Sequence, residues 1–362
     1  MSESFKVVAS TGAYGVRVGT GLVSPGQISV TSACQIIDEN VAQLWPATLM
    51  SNAIRVVATE DFKTLETVAV IIARMREAGM NRASHLYAYG GGIIQDLATF
   101  AASCYQRGIA WSYCPTTLLG MVDSCIGGKS SINVGGYKNI AGNFYPPREI
   151  LVDVAFCRTL EPVEKIAGLC EAVKICFAAQ GDAFGRYLSM FAEPSAFLSE
   201  QQLLDVVVLS LTTKKAFIEE DEFDRGVRLL LNFGHTFGHA IEAATQFAIT
   251  HGVAVGVGIL AEIELSRQLG RCSADQLRVQ ALEQHLRFLL GQVPGLMEQL
   301  ARLSLPAAIK NFKSDKKHSA SGYTVILATA DGCLEKISLP ITGESDKRVT
   351  HIFEQLVEGR LS

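Results

Sequence analysis

The hydrophobic period of this chain changes near residue 160, and that change limits the folds open to it. Before it, short apolar runs alternate with helical spacing. Gln27-Ile28-Ser29-Val30, Cys34 to Ile37 and Ile54 to Ala58 read as strands. Phe62 to Ala78 sets Leu65, Val68, Ile71, Ile72 and Met75 at helical spacing. Ser84 to Tyr89 reads as a strand running into Gly90-Gly91-Gly92. A helix over Ile93 to Gln106 and a strand over Ile109 to Cys114 follow. Strand, turn and helix in repetition argue for a mostly parallel sheet covered by helices. After the change the spacing is almost wholly helical, over 163–179, 183–191, 201–219, 236–247, 253–269, 274–290 and 295–303. The end mixes again, with strands at Tyr323 to Ala328 and Lys336 to Leu339 and a closing helix from Arg348 to Glu358. Two closely packed domains are expected, 1–160 and 161–362, with a boundary near Thr159 to Pro162.

Length agrees, since 362 residues suit two domains at roughly 100–200 residues each. A net charge of −4 argues against a strongly basic nucleic-acid binder. With 48% apolar and 19% charged residues the chain has ample core material. Nine cysteines, an odd number with no C-x-x-C pair, go with no secretory start and no apolar run long enough for a membrane span. The expectation is a soluble cytoplasmic protein with free thiols and no membrane partner.

Five groups of residues carry candidate chemistry. Gly90-Gly91-Gly92, between strand and helix, would let the backbone approach a pyrophosphate, or simply makes a tight turn. Asp96 and Thr116-Thr117 would line the same crevice, or act as turn and cap residues. His235 and His239 stand i, i+4 on one helical face. They suit a metal, or a metal ligand plus an acid–base group, against the plain alternative of two packed histidines. His251 follows where a helix and a loop would return it to the same place. Glu171 and Lys174 share a helix face among small and apolar neighbours, and as an ion pair need no ligand. A carboxylate with two imidazoles would instead complete a three-ligand site with an open position, zinc being the expected metal. Gly127-Gly128-Lys129 with Lys138 and Asn139 fits an anion, or a solvated basic loop, and is not a P-loop. Lys214 and Arg228 either pair with the acids of Glu219 to Asp224 or form a carboxylate-binding pair.

Taken together these segments resemble the 3-dehydroquinate synthase family of sugar-phosphate cyclases, from Asp38 to Asp315-Lys316-Lys317. The motifs are Asp38-Glu39-Asn40, Glu60-x-x-Lys63, Gly90-Gly91-Gly92-x-x-x-Asp96, Tyr105-x-Arg107-Gly108 and Pro115-Thr116-Thr117-Leu118-Leu119. Val122-Asp123-Ser124-x-x-Gly127-Gly128-Lys129, Lys138-Asn139, Glu171-x-x-Lys174 and Leu231 to His239 complete the set. The resemblance implies an N-terminal Rossmann-like nucleotide-binding α/β domain and a C-terminal mainly helical metal-binding domain, with the active site in the cleft between. NAD would contact Asp38, Asn40, Glu60, Lys63, Gly91, Gly92, Asp96, Thr116, Thr117, Lys138 and Thr159. Glu171, His235 and His251 would hold zinc or cobalt, leaving His239 for proton transfer near the leaving phosphate. Asp123, Lys129, Asn139, Lys174, Lys214, Arg228, Asn232 and one of Lys316 or Lys317 would take the substrate's phosphate and carboxylate. Lys129 and Lys174 count among the expected catalytic residues. Members are commonly homodimers in which the residue matching Arg107 reaches the neighbouring site.

The implied reaction converts 3-deoxy-D-arabino-heptulosonate 7-phosphate to 3-dehydroquinate and phosphate. NAD transiently oxidises a hydroxyl, phosphate leaves by β-elimination, the hydride returns, and an aldol step closes the carbocycle. Three departures bear on the substrate. Val253 replaces the family's usual Glu after the metal-binding His-Gly, Asp224 stands where a Glu is usual, and Val163 where an Arg is usual. If the carboxylate of Asp224 accepts a proton, its shorter side chain changes its reach. The alternatives are a cyclase acting on sedoheptulose 7-phosphate or glucose 6-phosphate and, third, a metal-dependent polyol dehydrogenase. A neutral polyol has no use for Lys129, Lys138 and Asn139, and Lys214, Arg228 and Asn232 together favour a carboxylate-bearing substrate.

Overall fold

The computed structural model describes residues 2–23, 33–135, 137–191 and 198–361. The strand expected at Gln27-Ile28-Ser29-Val30 lies outside them. The chain forms two compact units, Met1–Leu160 with Ser199–Glu222, and Glu161–Leu198 with Phe223–Ser362.

The first unit is an α/β layer structure. Its strands are β1 (Ser2–Ala9), β2 (Gly12–Gly19), β3 (Ala33–Asp38), β4 (Ala53–Val56), β5 (His85–Gly90) and β6 (Ala110–Pro115). After a separate hairpin of β7 (Ile132–Val134) and β8 (Tyr137–Ala141) comes β9 (Glu149–Asp153). The main sheet runs β1-β2-β9-β6-β5-β3-β4, parallel except for β1 on β2. Parallel strands covered on both faces are apolar almost throughout, which is why Cys34 to Ile37 and Leu86 to Tyr89 are legible as strands. The hairpin β1–β2 is not, because β1 is largely exposed and polar at the sheet's edge. Register sets Ile37 opposite Tyr89 and Gly90 opposite Pro115. The carboxyl ends of β3, β5 and β6 therefore finish together, the place where open α/β sheets bind ligands. There α1 (Glu39–Leu44) begins on Asp38, and α3 (Gly92–Cys104) on Gly91, with α2 (Leu65–Glu77) between them in sequence.

Helix α6 (Glu200–Glu220) belongs to this unit as well, although the helical spacing after residue 160 groups it with the second domain. Its Glu219 carboxylate accepts the Val8 amide at 2.8 Å, and its Ser210 hydroxyl donates to the Val122 carbonyl at 2.9 Å.

The second unit is mainly helical: α4 (Pro162–Ala178), α5 (Ala183–Ser189), α7 (His235–Ala244), α8 (His251–Gln268), α9 (Leu277–Leu290), α10 (Leu296–Ala301), α11 (Leu305–Lys313) and α12 (Gly343–Val357). An antiparallel hairpin, β10 (Gly322–Ala328) with β11 (Leu334–Pro340), completes it. Helices α4 and α8 are buried on nearly every face, which marks them as the centre of this core. Glycines let three helices approach backbone to backbone. A Cβ on Gly258 of α8 would run into the Gly234 carbonyl at the start of α7, and one on Gly252 into the Ala167 carbonyl of α4.

Replacing Gly258 by Ala should therefore cost about 2 kcal/mol of unfolding free energy, because neither backbone can yield. Denaturant titration checks this; a loss within the error of the measurement would show that α7 and α8 can separate freely.

Candidate active site

The helices α4, α7 and α8 each bring a potential ligand to one place in the second unit. Glu171 is completely buried in α4, and His235 and His251 are the first residues of α7 and α8. Glu171 Oε1 lies 3.4 Å from His251 Nε2 and 3.9 Å from His235 Nε2. It accepts no hydrogen bond. Donors about 2.0 Å from a tetrahedral zinc lie about 3.3 Å apart. A buried carboxylate oxygen without a hydrogen bond, facing two imidazole nitrogens near this spacing, is a donor set that fits a divalent metal. Oε2 of the same carboxylate is paired with Lys174, itself buried, so the ion pair leaves Oε1 open to a ligand role.

Burial first, then the charges of Lys174 and the other histidines, holds the His235 imidazole well below its ordinary pKa. A ligand lone pair is thereby available. His251 moves the other way. Burial opposes its charge, but a 3.2 Å hydrogen bond to the Glu242 carboxylate and the nearby Glu171 outweigh it. Since Nδ1 faces Glu242, Nε2 is left for Glu171 and a metal. His239 completes the cluster: ring atoms of His235, His239 and His251 that could bind a metal all lie within 4.8 Å of one another. Its Nδ1 faces Asp315 Oδ2 at 3.6 Å. Burial lowers the His239 pKa despite that carboxylate. Burial disfavours charge on Asp315 too, but His239 and Lys317 outweigh it and hold the carboxyl below its ordinary range.

Lys316 and Lys317 differ. Lys316 is exposed, whereas the Lys317 ammonium is buried 3.7 Å from Asp315 and within the field of His235, His239 and Glu262. Arg228 is buried and Asn232 half-buried in the short 3-10 helix Val227–Asn232. Asp224, half-buried, precedes it with a left-handed backbone (φ 60°). Val253 is buried in α8 and Val163 half-buried at the start of α4. Glu242, Asp315 and Glu262 carry no assigned role in the sequence reading. The signal for Glu262 is a single acid in the otherwise uncharged run from Gly252 to Ile263.

In the first unit a second cluster forms beside α3. Lys63 is buried and reaches Asn139 Oδ1 at 2.8 Å, Asp96 Oδ2 at 3.3 Å and Glu60 Oε1 at 3.4 Å. Lys138 lies 3.6 Å from the same Glu60 oxygen. Burial pushes Asp96 up to about 6 even with Lys63 beside it. Asp38 caps α1 by accepting the Asn40 amide, and burial raises its pKa too. Gly91 and Gly92 open α3, Thr116 is buried at the end of β6, and the Thr117 hydroxyl accepts the Gly120 amide. Thr159 accepts the Trp45 indole N–H at 3.0 Å. Lys214 pairs with Asp123, at 2.5 Å to its carboxylate and 2.6 Å to its carbonyl. The Lys129 ammonium lies 5.9 Å from the Phe144 ring centroid. Arg107 is exposed in a turn where its φ is 65°.

Comparison with known proteins gives a consistent picture. Residues 53–167 match the family described as 3-dehydroquinate synthase N-terminal, and residues 168–318 that described as 3-dehydroquinate synthase C-terminal. The 3-dehydroquinate synthase of Saccharolobus solfataricus is 34% identical over 288 residues, which span 78% of this chain and 79% of that one. The 3-dehydroquinate synthase of Alkaliphilus metalliredigens is 31% identical over 349 residues, 93% of this chain and 96% of that one. Among solved structures, a 2-deoxy-scyllo-inosose synthase complexed with carbaglucose-6-phosphate, NAD+ and Co2+ has a TM-score of 0.82. Its identity is 23%, and the match covers 98% of this chain and 99% of that one. A 2-epi-5-epi-valiolone synthase from Streptomyces hygroscopicus with NAD+ and Zn2+ bound has a TM-score of 0.79 at 24% identity, over 96% and 97% of the two chains. At these identities the two structures show a shared fold.

Glu242→Gln should weaken divalent-metal affinity by about 10- to 100-fold, because the amide orients the His251 ring less firmly. Competition with a chromogenic chelator reads this directly. An unchanged affinity would mean that His251 is held by other contacts.

Proposed function

The chain belongs to the 3-dehydroquinate synthase family, and from that premise we propose that it converts 3-deoxy-D-arabino-heptulosonate 7-phosphate to 3-dehydroquinate and phosphate, with catalytic NAD and one zinc or cobalt ion. The observation that carries this is the buried Glu171 carboxylate facing the imidazoles of His235 and His251. When bound, the metal supplies polarisation of a substrate oxygen, and NAD a reversible hydride acceptor.

The rest of the work falls to side chains. Glu171, His235 and His251 hold the metal, and Glu242 keeps the Nδ1 proton of His251. His239 is backed by Asp315 at Nδ1, so it exchanges a proton at Nε2. Lys174, Arg228 and Lys317 are buried cations of the same unit, suited to a phosphate or carboxylate that must be desolvated on binding. Asn232 would orient the same substrate, and Asp224 would accept a proton over a shorter reach than a Glu. In the first unit Asp38, Asn40, Glu60, Lys63, Asp96, Lys138, Thr159, Gly91, Gly92, Thr116 and Thr117 would bind NAD. Lys129, Asn139 and the Asp123–Lys214 pair would bind the substrate.

A homodimer belongs to the same proposal, with Arg107 offered to a neighbouring subunit from its exposed turn. So does a cytoplasmic location, which the nine free cysteines support. Among the described residues no helix is long and apolar enough to cross a membrane.

With the seven-carbon acid phosphate, phosphate should appear in equal amount to 3-dehydroquinate, with no net NADH. A chelator should abolish turnover and added Zn2+ or Co2+ restore it. Stoichiometric NADH from a simple polyol would make the protein a dehydrogenase. Faster turnover of sedoheptulose 7-phosphate or glucose 6-phosphate would make it a cyclase of another branch.

A further inference from the structure

Helix α7 opens on Gly234, which has no side chain to cap it. The residues that ordinarily cap helices are excluded there. The backbone is left-handed (φ 79°), and a Cβ would come within 2.6 Å of the Val255 carbonyl oxygen. The first amides of a helix have no partner within it, and here Gly234 is packed against Val255 and Ile259 of α8. Glu262 supplies the acceptor from the neighbouring helix: its Oε2 takes the Gly234 amide proton at 2.7 Å. The carboxylate is completely buried, its Oε1 accepts no hydrogen bond, and Lys317 contributes opposing charge to its field. A buried acid is costly where an apolar residue would pack as well, so its presence calls for a specific return. The residue after Gly234 is His235.

We infer that Glu262 is a positioning residue for the metal-binding set. By capping α7 from α8 it fixes the first turn of α7, so that the His235 imidazole already faces Glu171 and His251 before a metal arrives. This rests on the reading of Glu171, His235 and His251 as metal ligands. Glu262 acts through the Gly234 amide and is not itself one of the proposed ligands.

The test is Co2+ titration of the metal-stripped full chain, wild type against Glu262→Ala and Glu262→Gln, following the visible absorption of the bound ion and its affinity against a competing chelator. Glu262→Ala should bind Co2+ about 10- to 100-fold more weakly, with altered bands. Glu262→Gln, whose amide oxygen still accepts from Gly234, should recover most of the affinity and the wild-type bands. A folded Ala variant with wild-type spectrum and affinity overturns the inference, because a purely structural acid would lower the melting temperature alone. A Gln variant no better than Ala also overturns it, since charge and not the cap would then matter. If the Ala variant does not fold, Glu262→Asp, too short to reach Gly234, replaces it. Absence of Co2+ binding by the wild type, or binding indifferent to His235→Ala, overturns the metal reading beneath it.

Discussion

Backbone contact between α7 and α8 is the constraint on which the second unit depends. Gly234, Gly238 and Gly258 remove the side chains that would hold the two helices apart, and Gly252 does the same for α8 against α4. Three helices can then present Glu171, His235 and His251 within a few ångströms although the residues are far apart in sequence. Short glycine contacts are stiff, because no rotamer change relieves a clash between main chains. The mutual placement of these three side chains is set by helix packing and not by the ordering of a loop.

Such packing seals polar groups from water, and the same unit shows how they are matched. Oε2 of Glu171 is paired with Lys174, one turn along α4. Asp315 lies between His239 and Lys317. Glu262, pushed up to about 8 by burial, answers an amide that its own helix cannot reach. Removing one partner from any of these groups would leave its mate desolvated with less compensation, which costs more than the contact contributes. The acids and bases around the histidines are thus interlocked.

Much of the fold was legible because its central elements obey simple periods. Leu86 to Tyr89 and Cys34 to Ile37 are apolar runs of buried parallel strands, and α2 sets Leu65, Val68, Ile71 and Met75 at helical intervals. In β2, Tyr14, Val16 and Val18 do alternate, but glycines 12, 15 and 19 and a polar partner strand obscure the pattern. Helix α11 is a short segment that begins on a Ser304 cap with Pro306 in its first turn, and has no element in the sequence reading. For the site, spacing and motif name the histidines and Glu171. They do not reach Glu242, Asp315 or Glu262, whose roles depend on which helices touch. Nor does spacing separate Lys316 from Lys317, adjacent residues in a turn of which the first is exposed and the second has a buried ammonium.

Helix α6 returns to the first unit after the chain has already entered the second, so the polypeptide passes between the units three times. Neither unit is a contiguous stretch of sequence. A nascent chain leaving the ribosome cannot complete the sheet layer until residues beyond 220 have emerged, by which time α4 and α5 are already waiting for partners not yet made. Cutting the gene at residue 160 would give a fragment with part of its β1–β2 and Val122 surface bare.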